Sequence, residues 1–223
     1  MEIKFKKSLK DFDYLVAYDL ASHITGVGII DLNTRKIVST SVLTVTGVIE
    51  LPAVELENLV KNSLDQLLAK GIKKEKILVC TEAMPTQVHG GNSTIQTFIA
   101  LARSHAILDS YLYKNDFPTY DYKGVYPITT HSYYKKLMGL DSKYKVTKQD
   151  LKKYLVDNYN LDPNVTLDES DACFIGFTLI GKKWNADIDE EIRCLKRHKK
   201  TLVQEYAINK VDTEIARLQS LKD

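Results

Sequence analysis

Hydrophobic positions along this chain fall into two periodicities, and the order in which they alternate predicts an α/β protein. Residues 14–20 (YLVAYDL), 25–32 (TGVGIIDL) and 35–45 (RKIVSTSVLTV) have the length and β-branched content of strands, and Asn33-Thr34 can turn the chain between the last two. They predict an antiparallel meander. From Pro52, which suits a helix start, Val54, Leu56, Leu59, Val60, Leu64, Leu67 and Leu68 recur at helical spacing until Gly71. The segment 76–83 (KILVCTEA) then reads as a buried strand ending in Glu82. A loop, PTQVHGGNS, leads into a helix from about Ser93 to Tyr113, and this β-then-α crossover implies parallel strands. GVYPITTH at 124–131 predicts a fifth strand.

Two later helices announce their own starts. Thr147-Lys148-Gln149-Asp150 and Thr166-Leu167-Asp168-Glu169 both have the capping-box pattern, opening helices that run to Tyr159 and to Gly181. From Asn185 to the end, Ile188, Ile192, Leu195, Leu202, Val211, Ile215 and Leu218 lie at imperfect helical spacing among many charges. That pattern predicts a long terminal helix with room for a break or kink midway. The element order βββαβαβα predicts a mixed five-stranded sheet flanked by helices, with an additional long C-terminal helix. The division expected is a domain over 1–183 and a helical extension over 184–223.

Composition changes this picture little. With 44% hydrophobic and 27% charged residues among 223, the chain is ordinary for a globular protein with a sizeable core. The opening MEIKFKKSLK lacks the apolar core of a signal peptide, and no window approaches the ~18 apolar residues a membrane span needs, so a cytoplasmic protein is expected. Three cysteines without CxxC spacing, Cys80, Cys173 and Cys194, are expected to be reduced structural thiols. A net charge of +2 does not announce nucleic acid, but lysines concentrate in 4–10, in 135–153 and in 193–200.

The candidate chemistry lies in four acids. Asp19 is an ionisable residue inside an apolar strand, and Glu82 ends a second strand of the same kind; both placements cost free energy unless something compensates. Asp168 and Asp171 are three apart and share a helix face, so all four carboxylates could converge. Such a cluster favours divalent cations, and oxygen-only ligands select Mg²⁺, with Mn²⁺ as a substitute, over zinc. Two such ions about 3.5–4 Å apart can drive in-line displacement at phosphate, which predicts phosphodiester hydrolysis with no protein nucleophile.

Each residue also has a plainer explanation. Asp168 alone would be a helix-start acid favoured by the macrodipole, Asp171 a surface acid and Glu82 an ordinary strand end. Their coincidence with Asp19 is what argues for a site. His89, His105, His131 and His198 show no ligand spacing, and His23 only decorates a turn. Gly90-Gly91 matches no phosphate-loop pattern and reads as a flexible loop. Tyr133, Tyr134 and Tyr144 interleave with Lys135, Lys136, Lys143 and Lys145, a mix that suits phosphate contact with base stacking and equally a half-buried helix face. Arg193, Lys196, Arg197, Lys199 and Lys200 could extend a DNA surface, form a dimer contact or simply be solvated.

The stretches VAYDLASHITGVGIID, TEAMPTQVHGGNSTIQTFIALARSHAIL and LDESDACFIGF resemble, in order and spacing, the motifs of the RuvC family of Holliday-junction resolvases. The first matches that family's metal-binding Asp and its T-G-x-G-like strand, here Asp19, Thr25, Gly26 and Gly28. The second matches the strand-ending catalytic Glu, here Glu82, and the third the terminal pair of acids, here Asp168 and Asp171. YYKKLMGLDSKYKVTKQDL resembles the family's basic stretch, with Lys145 at a position the family places near the active site. The resemblance implies an RNase H-like fold, catalytic and metal-binding roles for the four acids with two Mg²⁺ per site, and a homodimer that nicks four-way junctions in pairs. DNA contacts are expected at Lys135, Lys136, Lys143, Lys145 and Lys148.

Two features depart from the family. Its resolvases often carry an aromatic shortly after the catalytic Glu, where this chain has Pro85, and the C-terminal extension exceeds the usual family length. A divergent, phage-encoded branch acting in a host cytoplasm fits these departures. The alternatives are a broader flap or Y-branch nuclease of the same fold and a non-catalytic junction-binding protein. A sugar-kinase-like phosphotransferase is excluded by the short chain and the lack of glycine-rich phosphate loops.

Overall fold

A computed structural model describes residues 8–21, 23–44, 53–84, 95–118, 125–201 and 205–222. Strands β1 (Tyr14–Asp19), β2 (Ile24–Asp31) and β3 (Lys36–Thr44) form the antiparallel meander the sequence predicts, and β4 (Ile77–Thr81) joins β1 in parallel. The order is β3-β2-β1-β4. Asp31 turns the chain between β2 and β3 by accepting hydrogen bonds from the backbone of Asn33 at 2.8 Å and Thr34 at 3.1 Å. Two helices, α1 (Ala53–Leu68) and α2 (Ile95–Lys114), flank β4 in sequence, as their periodicity requires. Pro52, Ser93, the loop with Pro85, His89, Gly90 and Gly91, and Lys4, Lys6 and Lys7 lie outside the described residues.

Strand alternation divides the sheet into two unlike faces. Val16 and Tyr18 of β1, Val27 and Ile29 of β2, and Ile77 and Val79 of β4 pack with Leu56, Val60, Leu64 and Leu67 of α1 and Leu108 and Leu112 of α2. Each such side chain stabilises the fold by about 1.5–3 kcal/mol on leaving water. The phenol of Tyr18, fully buried here, is hydrogen-bonded with Ser63 at 2.5 Å. The opposite face receives helix α5 (Leu167–Lys199). A Cβ added at Gly28 would sit 2.4 Å from the Cys173 sulfur and 3.0 Å from its Cα, so helix and strand meet there with no room for a side chain. Because β1 is covered on both faces, its sequence is a continuous apolar run.

Helices α3 (Pro127–Met138) and α4 (Lys148–Tyr159) complete this layer. Tyr134 of α3, Tyr154 of α4 and Phe174 of α5 meet edge to face, with ring centroids 5.8–6.0 Å apart. The expected strand at 124–131 is corrected: only Val125 forms a β-bridge, to Glu82, and Pro127 opens α3. Proline fixes its own φ and lacks an N–H, which suits the first turn of a helix and not a central strand. The sheet therefore has four strands among the described residues.

The chain separates into two compact units, residues 12–178 and residues 1–11 with 179–223. In the second, Ile188, Ile192, Leu195, Ile215 and Leu218 form a core with Trp184, Val211 and Leu221. Its elements are the later part of α5, helix α6 (Glu205–Ser220) and a 3-10 turn at Leu9–Asp11. Trp184 Nε1 donates to the Leu221 carbonyl at 2.9 Å, and Lys199 binds Asp212 at 2.6 Å, so the two helices run antiparallel. Leu9 N–H donates to Asp187 at 3.1 Å, and Lys10 pairs with the buried Glu191. Helix α5 thus passes through Gly181 where a stop was expected, and the terminal segment is two helices, with the break for which the pattern left room falling after Lys199. An interior glycine costs a helix only about 1 kcal/mol, which packing on either side of it offsets. Among the described residues no helix is long and apolar enough to cross a membrane.

Candidate active site

The β1–β4 register sets the first two acids. Ala17 pairs with Cys80 and Tyr18 with Thr81, so Asp19 and Glu82 stand on the next rung, at the C-terminal ends of parallel strands. The Glu82 N–H donates to the Tyr18 carbonyl at 3.3 Å. Strand ends of this kind are where α/β sheets place ligands. Alternation turns both side chains toward the α5 face, the face that Leu15 and Ala17 share.

The second pair is placed by the start of α5. Thr166 caps it: the Glu169 N–H donates to the Thr166 hydroxyl at 3.2 Å, and the Glu169 carboxylate accepts from the Thr166 N–H at 2.9 Å. Asp168 and Asp171 follow on one helix face. Gly26, which is paired with Asp19 across β1 and β2, touches the same turn. A Cβ at Gly26 would lie 2.1 Å from the Asp168 carbonyl oxygen, so the missing side chain is what lets α5 begin directly over the strand. Carboxylate oxygens of Asp19, Asp168 and Asp171 all fall within 4.8 Å of one another. Glu82 stands outside that tight triad but lines the same cavity of about 280 Å³ with Asp19 and Asp171.

Burial and mutual repulsion set the charges. Burial, then the charges of Asp171 and Asp168, push Asp19 from an ordinary 3.8 up to about 7, against the pull of Lys148. Burial, then Asp19 and Asp171, push Glu82 up to about 7 as well. Asp171 is also raised by burial, although Lys148 draws it back. Lys148 Nζ lies 2.6 Å from Asp171 Oδ2 and 3.2 Å from Asp168 Oδ1. Burial works against its charge, yet bonds to Asp171 and Asp168 hold the ammonium above the ordinary lysine range.

The residues fit a hard divalent cation. Asp171 Oδ1 is buried with no hydrogen-bond partner among the described residues, an uncommon condition for a carboxylate oxygen. All four candidate ligands are carboxylates, the donor set that magnesium and manganese take in preference to zinc. Burial first and the neighbouring acids second favour the protonated forms of Asp19 and Glu82, and a divalent cation would supply the positive charge that favours their ionised forms.

The structure thus brings together all four acids and one of the five lysines read as DNA contacts. Lys148, the first residue of α4, reaches the acids; Lys145, which the resemblance set near them, is exposed on the surface. Lys136 and Lys143 are exposed too, and Lys135 donates to the Ser142 carbonyl at 2.5 Å. Pro127, Thr130 and His131 form a cavity wall that sequence reasoning missed because their segment reads as a strand; Pro127 as a helix-opening residue was the available signal. Tyr134 is a core residue, Tyr133 also lies against Phe174, and Tyr144 is exposed. Cys80, Cys173 and Cys194 are free thiols.

No protein-family model and no curated protein sequence matches the chain. Among solved structures it is similar to RuvC of Thermus thermophilus in complex with a Holliday junction substrate, at 13% identity and a TM-score of 0.51 over 74% of this chain and 90% of that one. A second structure of Thermus thermophilus RuvC gives 14% identity and a TM-score of 0.51, over 74% and 92%. At such identity the likeness speaks for architecture, and the chain has a RuvC-like fold carrying an acid cluster able to hold metal.

Proposed function

We propose that this chain is a divalent-metal-dependent endodeoxyribonuclease that cuts branched DNA, with the four-way junction as its preferred substrate. The observation that carries the reading is the convergence of Asp19, Asp168 and Asp171 within 4.8 Å, with Glu82 on the adjoining strand end. The RuvC-like fold supports it, since one solved relative in fold is bound to a Holliday junction. Asp19, Glu82, Asp168 and Asp171 hold two Mg²⁺ ions, with Mn²⁺ as a substitute. When bound, such a pair supplies an activated water and neutralises charge on the leaving oxygen.

The chain's own residues do the rest. Lys148 is the cation nearest the acids and can meet a phosphate oxygen there. Lys135, Lys136, Lys143 and Lys145 lie on α3 and the connection into α4, and they bind the phosphate backbone on either side of the cut. In this reading the bridge between Glu82 and Val125 is the remnant of a fifth, RNase H-like strand. The nuclease domain spans 1–183, 184–223 is an extension, and a homodimer sets two sites on one junction. A phage-encoded protein working in a host cytoplasm fits the same reading.

The test is strand-resolved cleavage of a synthetic four-way junction in Mg²⁺, with flap and linear duplex controls and the variant Asp19→Asn. Paired symmetric nicks that vanish in the variant are expected. Preferential cutting of flaps would favour the broader nuclease, the reading to which Pro85 in place of an aromatic points. Binding with no metal-dependent cleavage would leave only a junction-binding protein.

A further inference from the structure

The final turns of α5 carry charge that the core of their own unit does not use. Ile188, Ile192 and Leu195 turn inward to pack with Val211, Ile215 and Leu218. Arg193, Lys196, Arg197 and Lys200, spaced i, i+3, i+4 and i+7, share the side turned away from that core, and all four are exposed. They cover about 10 Å along the helix axis. The helix dipole explains only part of this run, because it favours cations in the last turn and Arg193 stands a turn earlier.

The acids of the same stretch have other partners. Glu191 is buried with Lys10, Asp187 accepts from the Leu9 N–H at 3.1 Å, and Asp189 binds Lys222 at 2.7 Å. Glu190 lies near the basic face, where Arg193 at 2.5 Å and Arg197 at 3.6 Å share its carboxylate. Both pairs are exposed, and exposed pairs exchange readily for another anion. Lys196 and Lys200 form no ion pair among the described residues. The asymmetry extends to whole units: residues 1–11 and 179–223 hold 14 lysines and arginines against 10 acids, whereas residues 12–178, which carry the acid cluster, hold 17 against 19. A unit with net negative charge repels a polyanion, and the compensating positive charge lies in the other.

We propose that the face formed by Arg193, Lys196, Arg197 and Lys200 binds the phosphate backbone of a duplex DNA arm. The proposal rests on the nuclease reading above and gives the C-terminal extension a role in it. Duplex DNA presents one negative charge per about 1.7 Å of its axis, so roughly six phosphates fall within the length that these side chains cover. Guanidinium groups meet phosphate oxygens through paired hydrogen bonds, and the helix fixes where the cations stand. Backbone contacts of this kind position a protein without reading sequence. The face therefore strengthens binding to linear duplex and to junction arms alike.

The experiment measures affinity for a four-way junction and a linear duplex across a KCl series, using the full chain carrying Asp19→Asn so that neither DNA is cut. One variant combines Arg193→Gln, Lys196→Gln, Arg197→Gln and Lys200→Gln, and a second only Lys196→Gln and Lys200→Gln, because glutamine keeps the helix propensity of the residues it replaces. A charge-matched control changes Lys36, Lys61, Lys70 and Lys73, all exposed on the other unit, to glutamine. Thermal melting checks folding and light scattering checks mass; if the fourfold change unfolds the unit, the twofold variant decides. The fourfold variant should bind both DNAs more weakly, on the order of tenfold, and flatten the slope of log affinity against log salt by about 3 to 4, the twofold variant by about half as much. Unchanged slopes, a loss confined to the junction or an equal loss in the control would overturn the proposal. So would a loss that follows a fall in mass, which would assign the face to contact between copies of the chain. In each of these cases metal-dependent nicking of the junction by the wild-type chain would leave the nuclease reading standing, whereas a wild type that neither binds nor cuts it would remove both.

Discussion

The first turns of α4 and α5 are built from the same four-residue motif and bring opposite charges to one cavity. In α5, Thr166 and Glu169 close a part-buried capping box, and Asp168 in its first turn sits where the helix dipole favours a negative charge. In α4, Thr147 and Asp150 close the same box on the surface, and the first helical residue is Lys148. A cation there runs against the dipole, at a cost of some tenths of a kcal/mol up to about 1 kcal/mol. Contacts with Asp171 and Asp168 compensate. One helix start follows its local preference and the other violates it, and violations of this kind gather at functional sites.

The largest perturbation of that pairing should come from a residue in neither turn. Gly26→Ala forces a methyl group to within 2.1 Å of the Asp168 carbonyl oxygen, so α5 must lift from the sheet. A loss of about 3 kcal/mol or more is expected in thermal or denaturant unfolding, with cleavage abolished although all four acids remain. An alanine variant that cuts normally would show that the helix start tolerates displacement.

Asp19→Asn should lower cleavage on the order of a thousandfold, equivalent to about 4 kcal/mol in the barrier. The same variant makes a stability prediction for metal-free protein. Asp19 is raised from 3.8 to about 7, so its contribution to stability is complete below pH 4, falls as pH rises and is gone above about 7. Asparagine carries no such penalty. In EDTA the variant should gain relative to wild type at pH 8, by up to about 4 kcal/mol, and little at pH 4.5. Equal effects at both pH values would contradict the burial of this carboxylate.

Lys148→Met separates the two helix starts electrostatically. With half of the lysine side chain exposed, solvent screening reduces the effect to about 1 kcal/mol of stability lost at pH 8 in EDTA, and Mg²⁺ should restore it. Melting curves with and without the ion test this, and a loss that the ion leaves untouched would mean Lys148 acts through packing alone. The smallest effects belong to the caps. Thr166→Ala and Thr147→Ala should each cost about 1 kcal/mol, and the first should depress cleavage more because it loosens Asp168 and Asp171 together. Equal kinetic effects would imply that Lys148 is held as tightly as the acids.

Much of this was legible in the residues. Asp19 and Glu82 stand out because an acid at the end of an apolar strand is costly, and both capping boxes can be read directly from Thr147–Asp150 and Thr166–Glu169. The error at Pro127 arose where β-forming Val125 and Tyr126 precede a helix-opening proline; local signals of two kinds overlapped, and the bridge stops at Val125 while Pro127 takes the first position of the helix. Tyr134 and Tyr144 show the same limit, since equivalent residues in a basic stretch became a core contact and an exposed ring.

By itself the sequence determined strands β1 to β4, the two capped helix starts at Thr147 and Thr166, and the four acids as the candidate cluster, because periodicity, capping and the cost of a buried charge are local properties. Only the tertiary structure decided that Gly26 admits α5 over β2, that Lys148 contacts Asp168 and Asp171, and that the terminal segment folds back on itself through Trp184 and Leu221. Those outcomes depend on contacts between residues far apart in the chain, which no local pattern encodes.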